Sequence, residues 1–332
     1  MISQKLRGDR QMVGKEFNLT ALKQKQSLPL EAKIILTQKR IKEWFDYWEG
    51  QIYLSFSGGK DSTVLKHIIE NTPGIHNVPS VFVNTGLEYP EVQNFVRKCN
   101  NVTIIRPEKS FKQVIEECGY PVISKEIAKS IEHARKCIES GMTKYLYGYQ
   151  KLCGTYISPN TGKLSTYNCP KWKFLLDAPF KISDQCCKFL KKNPAKKYSK
   201  ETNRKPITAT MACESRLRTS QWLHHGCNGF NMKSPISNPM SFWVEQDVLQ
   251  YITEYKIPYC EIYGEIQKDK NGKYFATGLD RTGCMFCMFG VHLEKSPNRF
   301  QLMRESHPKL YKYCMEKLGI KEVLDFLNVE YE

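Results

Sequence analysis

Short apolar runs alternate with amphipathic segments between residues 30 and 137. Three brief apolar runs predict buried strands at 52–56, 81–83 and 102–105. Apolar residues at helical spacing predict helices at 30–49, at 62–69, from Pro90 onward, at 111–118 and at 124–137. Strands that alternate with helices form a mainly parallel sheet through right-handed crossovers. The pattern therefore predicts an α/β fold.

The pattern changes after residue 137. Helical periodicity weakens over 138–180, where aromatic residues are interleaved with lysines. These residues are Tyr145, Tyr147, Tyr149, Tyr156, Tyr167 and Trp172 among Lys144, Lys151, Lys163, Lys171 and Lys173. Such a mixture can bind a nucleic-acid single strand by stacking and phosphate contact. Loop statistics favour the alternative, a lid or surface insertion packed on its own aromatic residues.

Composition narrows the class of protein. The chain has 332 residues, of which 41% are hydrophobic, and a net charge of +16. This is a globular composition, and the charge favours anionic partners such as nucleotides or nucleic acid. The 13 cysteines occur without a secretion signal, which argues against a disulfide framework. No apolar run reaches the length of a membrane span, so we expect a cytoplasmic protein with no membrane partner.

The strand predicted at 52–56 leads into Ser57-Gly58-Gly59-Lys60-Asp61-Ser62 and then into a helix. A strand, a glycine turn and a helix start form a phosphate site, because the backbone can approach an anion and free helix N–H groups then point at it. Lys60 can add a positive charge. The spacing is not that of a Walker A loop. The alternative interpretation is a plain strand-to-helix turn.

Four cysteines stand out from the scattered ones. Cys186 and Cys187 are adjacent, and Cys284 and Cys287 form a C-x-x-C pair. Four thiolates can hold either a zinc ion or a [4Fe–4S] cluster. Ligands of structural zinc are usually separated by two to four residues, so an adjacent pair is unusual for zinc.

These motifs resemble those of a known family. The loop from Ser57 to Ser62 is similar to the pyrophosphate-binding loop of the adenine nucleotide alpha hydrolase superfamily. The stretch from Asn84 to Glu91 resembles the Asp-Thr-Gly…Pro-Glu pattern of the phosphoadenosine phosphosulfate (PAPS) reductase family, with Asn84 in place of the acid. The resemblance implies a Rossmann-like parallel sheet. It also favours a [4Fe–4S] cluster over zinc, because cluster-containing members carry paired cysteines and a C-x-x-C.

A third stretch supports the same resemblance. Glu214-Ser215-Arg216-Leu217-Arg218 is similar to the end of the family pattern Gly-x-Arg-x-x-Glu-Ser-x-x-Arg, although the early Gly and Arg are absent. The resemblance implies that Lys60, Asp61 and Arg218 are catalytic. It implies nucleotide contacts from Ser55, Ser57, Gly58, Gly59, Lys60, Asp61, Ser62, Asn84, Thr85, Gly86, Glu88, Glu214 and Ser215. Arg281 precedes the C-x-x-C and is a further candidate to neutralise an anion.

The motifs predict a division of the chain into five regions. These are an N-terminal arm and helix (1–49), a nucleotide-binding core (50–137), a basic and aromatic insertion (138–180), the rest of the core with the four-cysteine site (181–292) and C-terminal helices (293–332).

The resemblance implies one leading function and two alternatives. The first is ATP-dependent sulfur transfer that releases pyrophosphate, with Mg²⁺ as a candidate cofactor, a separate sulfur donor and a DNA or tRNA acceptor. The second is reduction of adenylyl sulfate or PAPS to sulfite by a thioredoxin-like reductant. The C-terminal Glu-Cys-Gly-Leu-His segment of assimilatory reductases does not occur, and Cys314 falls in a predicted helix. The third is a nucleotide sensor or nucleic-acid-binding accessory without turnover.

Overall fold

The computed structural model describes residues 17–332, so the first 16 residues of the predicted arm lie outside the described part. Contacts divide the chain into two compact units. The first unit contains the chain up to Val83 together with Pro90–Ile105 and Ala195–Thr282, and the second contains Asn84–Tyr89, Arg106–Pro194 and Gly283–Glu332. The five predicted regions stay a prediction.

A six-stranded sheet forms the centre of the first unit, in the order β3-β2-β1-β5-β7-β6. Its strands are β1 (Ile52–Ser55), β2 (Ser80–Val83), β3 (Val102–Ile105), β5 (Lys205–Ile207), β6 (Asn228–Gly229) and β7 (Ile236–Ser237). All neighbouring pairs are parallel except β6 with β7. The α/β fold with a mainly parallel, Rossmann-like sheet is therefore confirmed. Because β1 and β2 are parallel neighbours, their carboxyl ends lie at the same edge of the sheet.

Helices of the first unit bury their apolar faces. They are α1 (Leu19–Gln26), α2 (Leu30–Tyr47), α3 (Lys60–Glu70), α4 (Pro90–Lys98), α9 (Arg216–His225) and α10 (Glu245–Tyr255), and a hairpin of β8 (Ile266–Lys268) and β9 (Tyr274–Ala276) follows. Helix α8 (Asn193–Thr202) begins in the second unit and ends in the first. Helix α1 lies within the region that the sequence analysis gives as an N-terminal arm and helix. The Asn18 side chain accepts a hydrogen bond from the Ala21 N–H at 2.9 Å, and Leu22 is buried.

The second unit is mostly helical. Its helices are α5 (Phe111–Cys118), α6 (Lys125–Ser140), α7 (Leu146–Cys153), α11 (Arg299–Ser306), α12 (Pro308–Lys312) and α13 (Ile320–Phe326). Two short strands, β4 (Val122–Ile123) and β10 (Met288–Phe289), pair in parallel. Among residues 17–332, no helix has the length and apolar character that a membrane span requires.

The insertion at 138–180 is more ordered than its weak periodicity predicts. It contains α7 and a 3₁₀ helix at Pro170–Asp177. The Arg135 guanidinium on α6 donates hydrogen bonds to the backbone carbonyls of Leu175, Leu176, Ala178 and Phe180 at 2.7–3.2 Å. These long-range bonds hold the backbone at and after the end of the 3₁₀ helix, and they leave no periodic signal in the sequence.

A buried ion pair connects α2 to α10 in the first unit. The Lys33 side chain is 1% exposed, and its Nζ donates to both carboxylate oxygens of Asp247 at 2.7 Å and to the Gln26 carbonyl at 2.7 Å. Asp247 also accepts from the Val244 N–H at 2.7 Å, at the start of α10. Removing one member of such a pair leaves an uncompensated buried charge.

We expect Lys33→Met to lower the free energy of unfolding by about 3–5 kcal/mol, because Asp247 would keep its charge without a partner. Urea unfolding followed by circular dichroism measures this loss. The double variant Lys33→Met/Asp247→Leu should regain part of the stability, since it removes both charges. A loss below about 1 kcal/mol in the single variant would contradict a stabilising role for this pair.

Candidate active site

The glycine loop follows directly from the end of β1 at Ser55 and leads into α3 at Lys60. Gly58 has a φ of +71°, and a Cβ atom there would lie 2.6 Å from Val96 Cγ2 and 2.9 Å from Val92 Cγ1 on α4. A side chain at this position would therefore be both strained and excluded by neighbouring atoms. Gly59 is the N-cap residue of α3 and offers no side chain to cap it. The loop thus has the shape of an anion site.

Three backbone N–H groups of the loop donate long hydrogen bonds to hydroxyl groups of the first unit. The Ser57 N–H donates to Ser62 Oγ at 3.3 Å, and the Gly59 N–H donates to Ser57 Oγ at 3.3 Å. The Lys60 N–H donates to the Tyr263 hydroxyl at 3.4 Å. A phosphate oxygen accepts shorter and stronger hydrogen bonds than a neutral hydroxyl does. An anion can therefore replace these neutral partners with a gain in energy.

Two oxygen atoms orient the Lys60 ammonium group. Its Nζ donates to Glu245 Oε1 at 2.6 Å and to the Asp280 carbonyl at 2.7 Å, and its side chain is 7% exposed. The Tyr263 ring centre lies 5.4 Å from the same nitrogen. An ammonium group has three N–H donors, so one is left for an oxygen of a ligand.

Glu245 and Tyr263 were missed by the sequence analysis. Glu245 is the first residue of α10, and Tyr263 lies in a single 3₁₀ turn at Glu261–Tyr263. Tyr263 is buried, which raises its pKa to about 12, and its hydroxyl also bonds Thr282 Oγ1 at 2.7 Å. Neither residue carries a local signal, because Glu245 and Tyr263 contact Lys60 from 185 and 203 positions further along the chain.

Asp61 lies among charged groups of the first unit. Burial raises the pKa of its carboxyl group, and Glu245 adds to this rise, whereas Lys60, Arg281 and Arg218 oppose it. Asp61 Oδ1 is buried and has no hydrogen-bond partner among the described residues. An orphaned carboxylate oxygen of this kind can accept a ligand proton or coordinate a hard cation such as Mg²⁺.

Two arginines approach each other near Asp61. Burial lowers the pKa of Arg218, and the positive charge of Arg281 lowers it further. Arg281 is exposed and has no hydrogen bond or ion pair within residues 17–332. Two guanidinium groups that repel each other are stabilised when an anion binds to both. Their positions favour a negatively charged ligand at this end of the site.

Glu214 and Ser215 position Arg218. Glu214 forms an ion pair with Arg218, and its Oε2 accepts from the Met211 N–H at 2.9 Å. Ser215 is the N-cap residue of α9, where its Oγ accepts from the Arg218 N–H at 3.3 Å. Both predicted nucleotide contacts therefore have a structural role in this conformation. An open cavity of about 530 Å³ borders the same segment and is lined in part by Cys213, Ser215 and Arg216.

The stretch from Asn84 to Glu88 belongs to the second unit and forms a closed turn. The Thr85 N–H and Oγ1 donate to the two carboxylate oxygens of Glu88 at 3.0 and 2.8 Å. The Gly86 N–H donates to Asn84 Oδ1 at 3.0 Å, so asparagine supplies the acceptor that the family pattern assigns to an acid. The Leu87 carbonyl accepts from the Met285 N–H at 2.8 Å, inside the C-x-x-C segment.

All four cysteines of the predicted metal site belong to the second unit. The Cys186 thiol donates to Cys187, which raises the pKa of Cys186 and lowers that of Cys187 to about 5. The charges of Cys287 and Cys284 also raise the pKa of Cys186, so the four sulfur atoms lie within electrostatic reach of one another. Burial raises the pKa of Cys284 to about 11 and raises that of Cys287 as well.

Positive charges surround these thiols. The pKa of Lys191 is raised, because the charges of Cys284 and Glu88 outweigh the opposing effect of desolvation. Lys125 contributes to the low pKa of Cys187. The Arg299 guanidinium donates to the Cys287 carbonyl at 2.8 Å. Cations at a four-thiolate site offset the negative charge that thiolates bring to a metal.

The donor set fits a sulfur-ligated group, but the side chains are not arranged around one ion. No group of three or more His, Cys, Asp or Glu residues in the described chain is placed to hold a single metal ion. A zinc ion requires all its sulfur ligands at about 2.3 Å from one point, whereas a [4Fe–4S] cluster distributes four thiolates over separate irons. This arrangement of the described side chains therefore supports neither a zinc ion nor a cluster.

The predicted site residues divide between the two units. The first unit brings the Ser57–Ser62 loop together with Arg218 and adds Glu245, Tyr263 and Arg281. The second unit contains the Asn84–Glu88 turn and the four cysteines.

The chain was compared with known protein families and solved structures. The sequence matches the family model described as "Phosphoadenosine phosphosulfate reductase domain" over residues 51–151 and 170–288. One similar solved structure is the crystal structure of phosphoadenylyl-sulfate (PAPS) reductase from Candida auris in a phosphate complex. It shares 15% sequence identity over 77% of this chain and 97% of that chain, with a TM-score of 0.38. No curated protein matches the sequence.

We expect Asp61→Asn to raise the free energy of unfolding at pH 7 by about 1 kcal/mol, since it removes a buried and poorly satisfied charge. The pKa of Asp61 is raised in the folded state, so ionisation costs stability above that pKa and the cost disappears as the pH falls. The advantage of the variant should therefore shrink between pH 7 and pH 4. Thermal unfolding across this range measures it. A stability gain of Asp61→Asn that grows towards low pH would contradict a raised pKa of Asp61.

Proposed function

Because the chain belongs to the phosphoadenosine phosphosulfate reductase family, whose model matches more than half of its length, we propose that it activates an acceptor with ATP, releases pyrophosphate and then transfers sulfur. Family membership supports a nucleotide-binding enzyme of sulfonucleotide-related chemistry. The use of ATP, the acceptor and the sulfur-transfer step are the proposal.

The observation that carries the proposal is the free donor of Lys60. Two of its N–H groups are held by Glu245 Oε1 and the Asp280 carbonyl, so the third is available to an oxygen of the attacked phosphate. An oriented ammonium group stabilises the negative charge that develops there in the transition state. Arg218 and Arg281 lie around Asp61 and supply further positive charge for the leaving pyrophosphate.

The reaction would proceed in two displacements. An oxygen atom of the acceptor attacks the α-phosphorus of ATP, the bond to the β-phosphate oxygen breaks, and pyrophosphate leaves with the electron pair. A sulfur nucleophile from a separate donor then displaces AMP from the acceptor. Mg²⁺ bound to the phosphates would meet the unpartnered Oδ1 of Asp61. The net charge of +16 supports an anionic acceptor, and we propose nucleic acid, either DNA or tRNA.

Four thiols and their surrounding charges support a [4Fe–4S] cluster in the second unit. Cys186, Cys187, Cys284 and Cys287 would hold it, and such a cluster would carry the sulfur of the separate donor to the transfer step. Lys191 and Arg299 would offset its negative charge, as they do for the thiols.

Sulfonucleotide reduction is the second candidate, because the matching family model carries the reductase description. This reaction requires a thiolate that attacks the sulfonate sulfur and a thioredoxin-like reductant that resolves the product. Burial raises the pKa of Cys213, whose thiol donates to the Trp243 carbonyl at 3.5 Å. Cys314 is fully buried, and burial raises its pKa strongly. Cys213 is exposed, whereas the burial of Cys314 makes that thiol a poor nucleophile for this reaction.

We expect anaerobically purified protein to release pyrophosphate from ATP and Lys60→Ala to lower this rate by about 10²–10³-fold, because the variant loses the oriented charge at the attacked phosphate. Lys42→Ala, which removes an exposed lysine of α2, is the matched control and should keep the wild-type rate. A coupled pyrophosphate assay with and without added DNA or tRNA measures both.

The outcomes separate the candidate functions. Release that does not depend on Lys60 would contradict the role given to the loop. Sulfite formation from adenylyl sulfate or PAPS without pyrophosphate release would favour reduction. Nucleotide binding without either product, in the presence of nucleic acid, would favour a sensor.

We expect the same preparation to contain iron and acid-labile sulfide in equal amounts, about four of each per chain. Cys284→Ser and Cys287→Ser should lose both, because each removes a ligand. Cys137→Ser on α6 is the matched control and should retain them. Zinc without iron, or retention of iron in both ligand variants, would reject the cluster.

A further inference from the structure

The lysines of the 138–180 insertion are of two structural kinds. Lys151 is buried, forms an ion pair with Glu126 and lies 5.1–5.6 Å from the ring centres of Tyr147, Tyr156 and Tyr167. This lysine stabilises the interior of the insertion. Other lysines of the insertion stay at the surface, so the expectation of a segment packed on its own aromatic residues holds for only one part of it.

The surface part is the sequence Lys171-Trp172-Lys173-Phe174, which we call the KWKF surface. Lys171 and Lys173 are exposed and form no ion pair within residues 17–332. Phe174 is 43% exposed. Lys171 Nζ lies 5.1 Å from the Trp172 ring centre. Positive charge and open aromatic surface therefore alternate along four consecutive residues.

The two rings are supported from behind by other residues of the second unit. Trp172 packs edge-on against His292, with ring centres 5.0 Å apart. Phe174 stacks on Phe326 at 5.9 Å with an interplanar angle of 25°. The two rings are themselves 6.1 Å apart. This packing limits the rotamers of both rings, so little side-chain entropy is lost when a ligand covers them.

The backbone under these rings is also fixed. The Arg135 guanidinium bonds the carbonyls of Leu175 and Leu176, directly after Phe174. Glu139 and Asp177 are the two acidic residues among 138–180, and neither forms an ion pair with Lys171 or Lys173 within residues 17–332. A rigid aromatic surface with unneutralised cations is complementary to a ligand that has both flat rings and negative charge.

From this combination we propose that the KWKF surface binds single-stranded nucleic acid. Unpaired bases stack on Trp172 and Phe174, and the ammonium groups of Lys171 and Lys173 contact phosphates. A duplex keeps its base faces stacked inside the helix, so it meets the charges without the rings. The inference extends the nucleic-acid acceptor of the proposed function, but the binding itself requires neither ATP nor turnover.

The test is fluorescence anisotropy of full-length protein with labelled 20-nucleotide oligo(dT) and oligo(U), at two salt concentrations. Lys171→Glu/Lys173→Glu should weaken binding at least tenfold and flatten its salt dependence, because two phosphate contacts are lost. Lys23→Glu/Lys39→Glu, two exposed lysines of the first unit, makes the same change in net charge and should bind as the wild type does.

Phe174→Ala separates stacking from charge. It should weaken single-strand binding about fivefold or more while leaving the weaker binding of duplex DNA of the same length unchanged. Circular dichroism of each variant confirms that it is folded. Equal binding by the wild type and the Lys171→Glu/Lys173→Glu variant would overturn the proposal. A charge effect without any Phe174 effect would also overturn it, since it would indicate a general polyanion surface such as one for an acidic protein.

Lys60→Ala distinguishes this inference from the proposed function, because it should bind oligonucleotides as the wild type does. In the wild-type protein, normal strand binding without pyrophosphate release from ATP would reject the proposed function alone. Pyrophosphate release that persists while strand binding is absent would reject the KWKF surface alone.

Discussion

The first unit must provide hydrogen-bond acceptors for a buried ammonium group, that of Lys60. An unpartnered charge in this position would be costly, because the side chain is almost completely removed from water. Glu245 and the Asp280 carbonyl provide the acceptors from two distant segments of the chain. The same contacts that stabilise the charge leave one N–H group of the ammonium without an acceptor among the described residues.

In the second unit the groups that need compensation would carry negative charge, because they are thiols. Four sulfur atoms within reach of one another cannot all ionise without partners, and the single low pKa at Cys187 comes from a hydrogen bond donated by Cys186. Lys125, Lys191 and Arg299 lower the cost of negative charge there. Each unit therefore holds charged or ionisable groups close together: the Lys60 ammonium group and its partners in the first unit, and the four thiols with nearby cations in the second.

The sequence predicted those parts of the fold whose determinants are local, and the site residues that it indicates stay a prediction. The strand, glycine loop and helix from Ile52 onward follow from adjacent residues, and so do the paired cysteines. Glu245 and Tyr263 could not be predicted, since they contact Lys60 from 185 and 203 positions away. The order of the insertion was also missed, because Arg135 stabilises it through carbonyl groups, which are the same in every sequence.

The anchoring of the insertion by Arg135 has a consequence for how this protein can change during evolution. A guanidinium group that binds backbone oxygens places no demand on the side chains of the residues it holds. The chain around Leu175 to Phe180 can thus keep its path while neighbouring exposed side chains are exchanged. Because Arg135 holds the backbone here, substitutions of exposed side chains can change what this surface binds without changing the path of the chain.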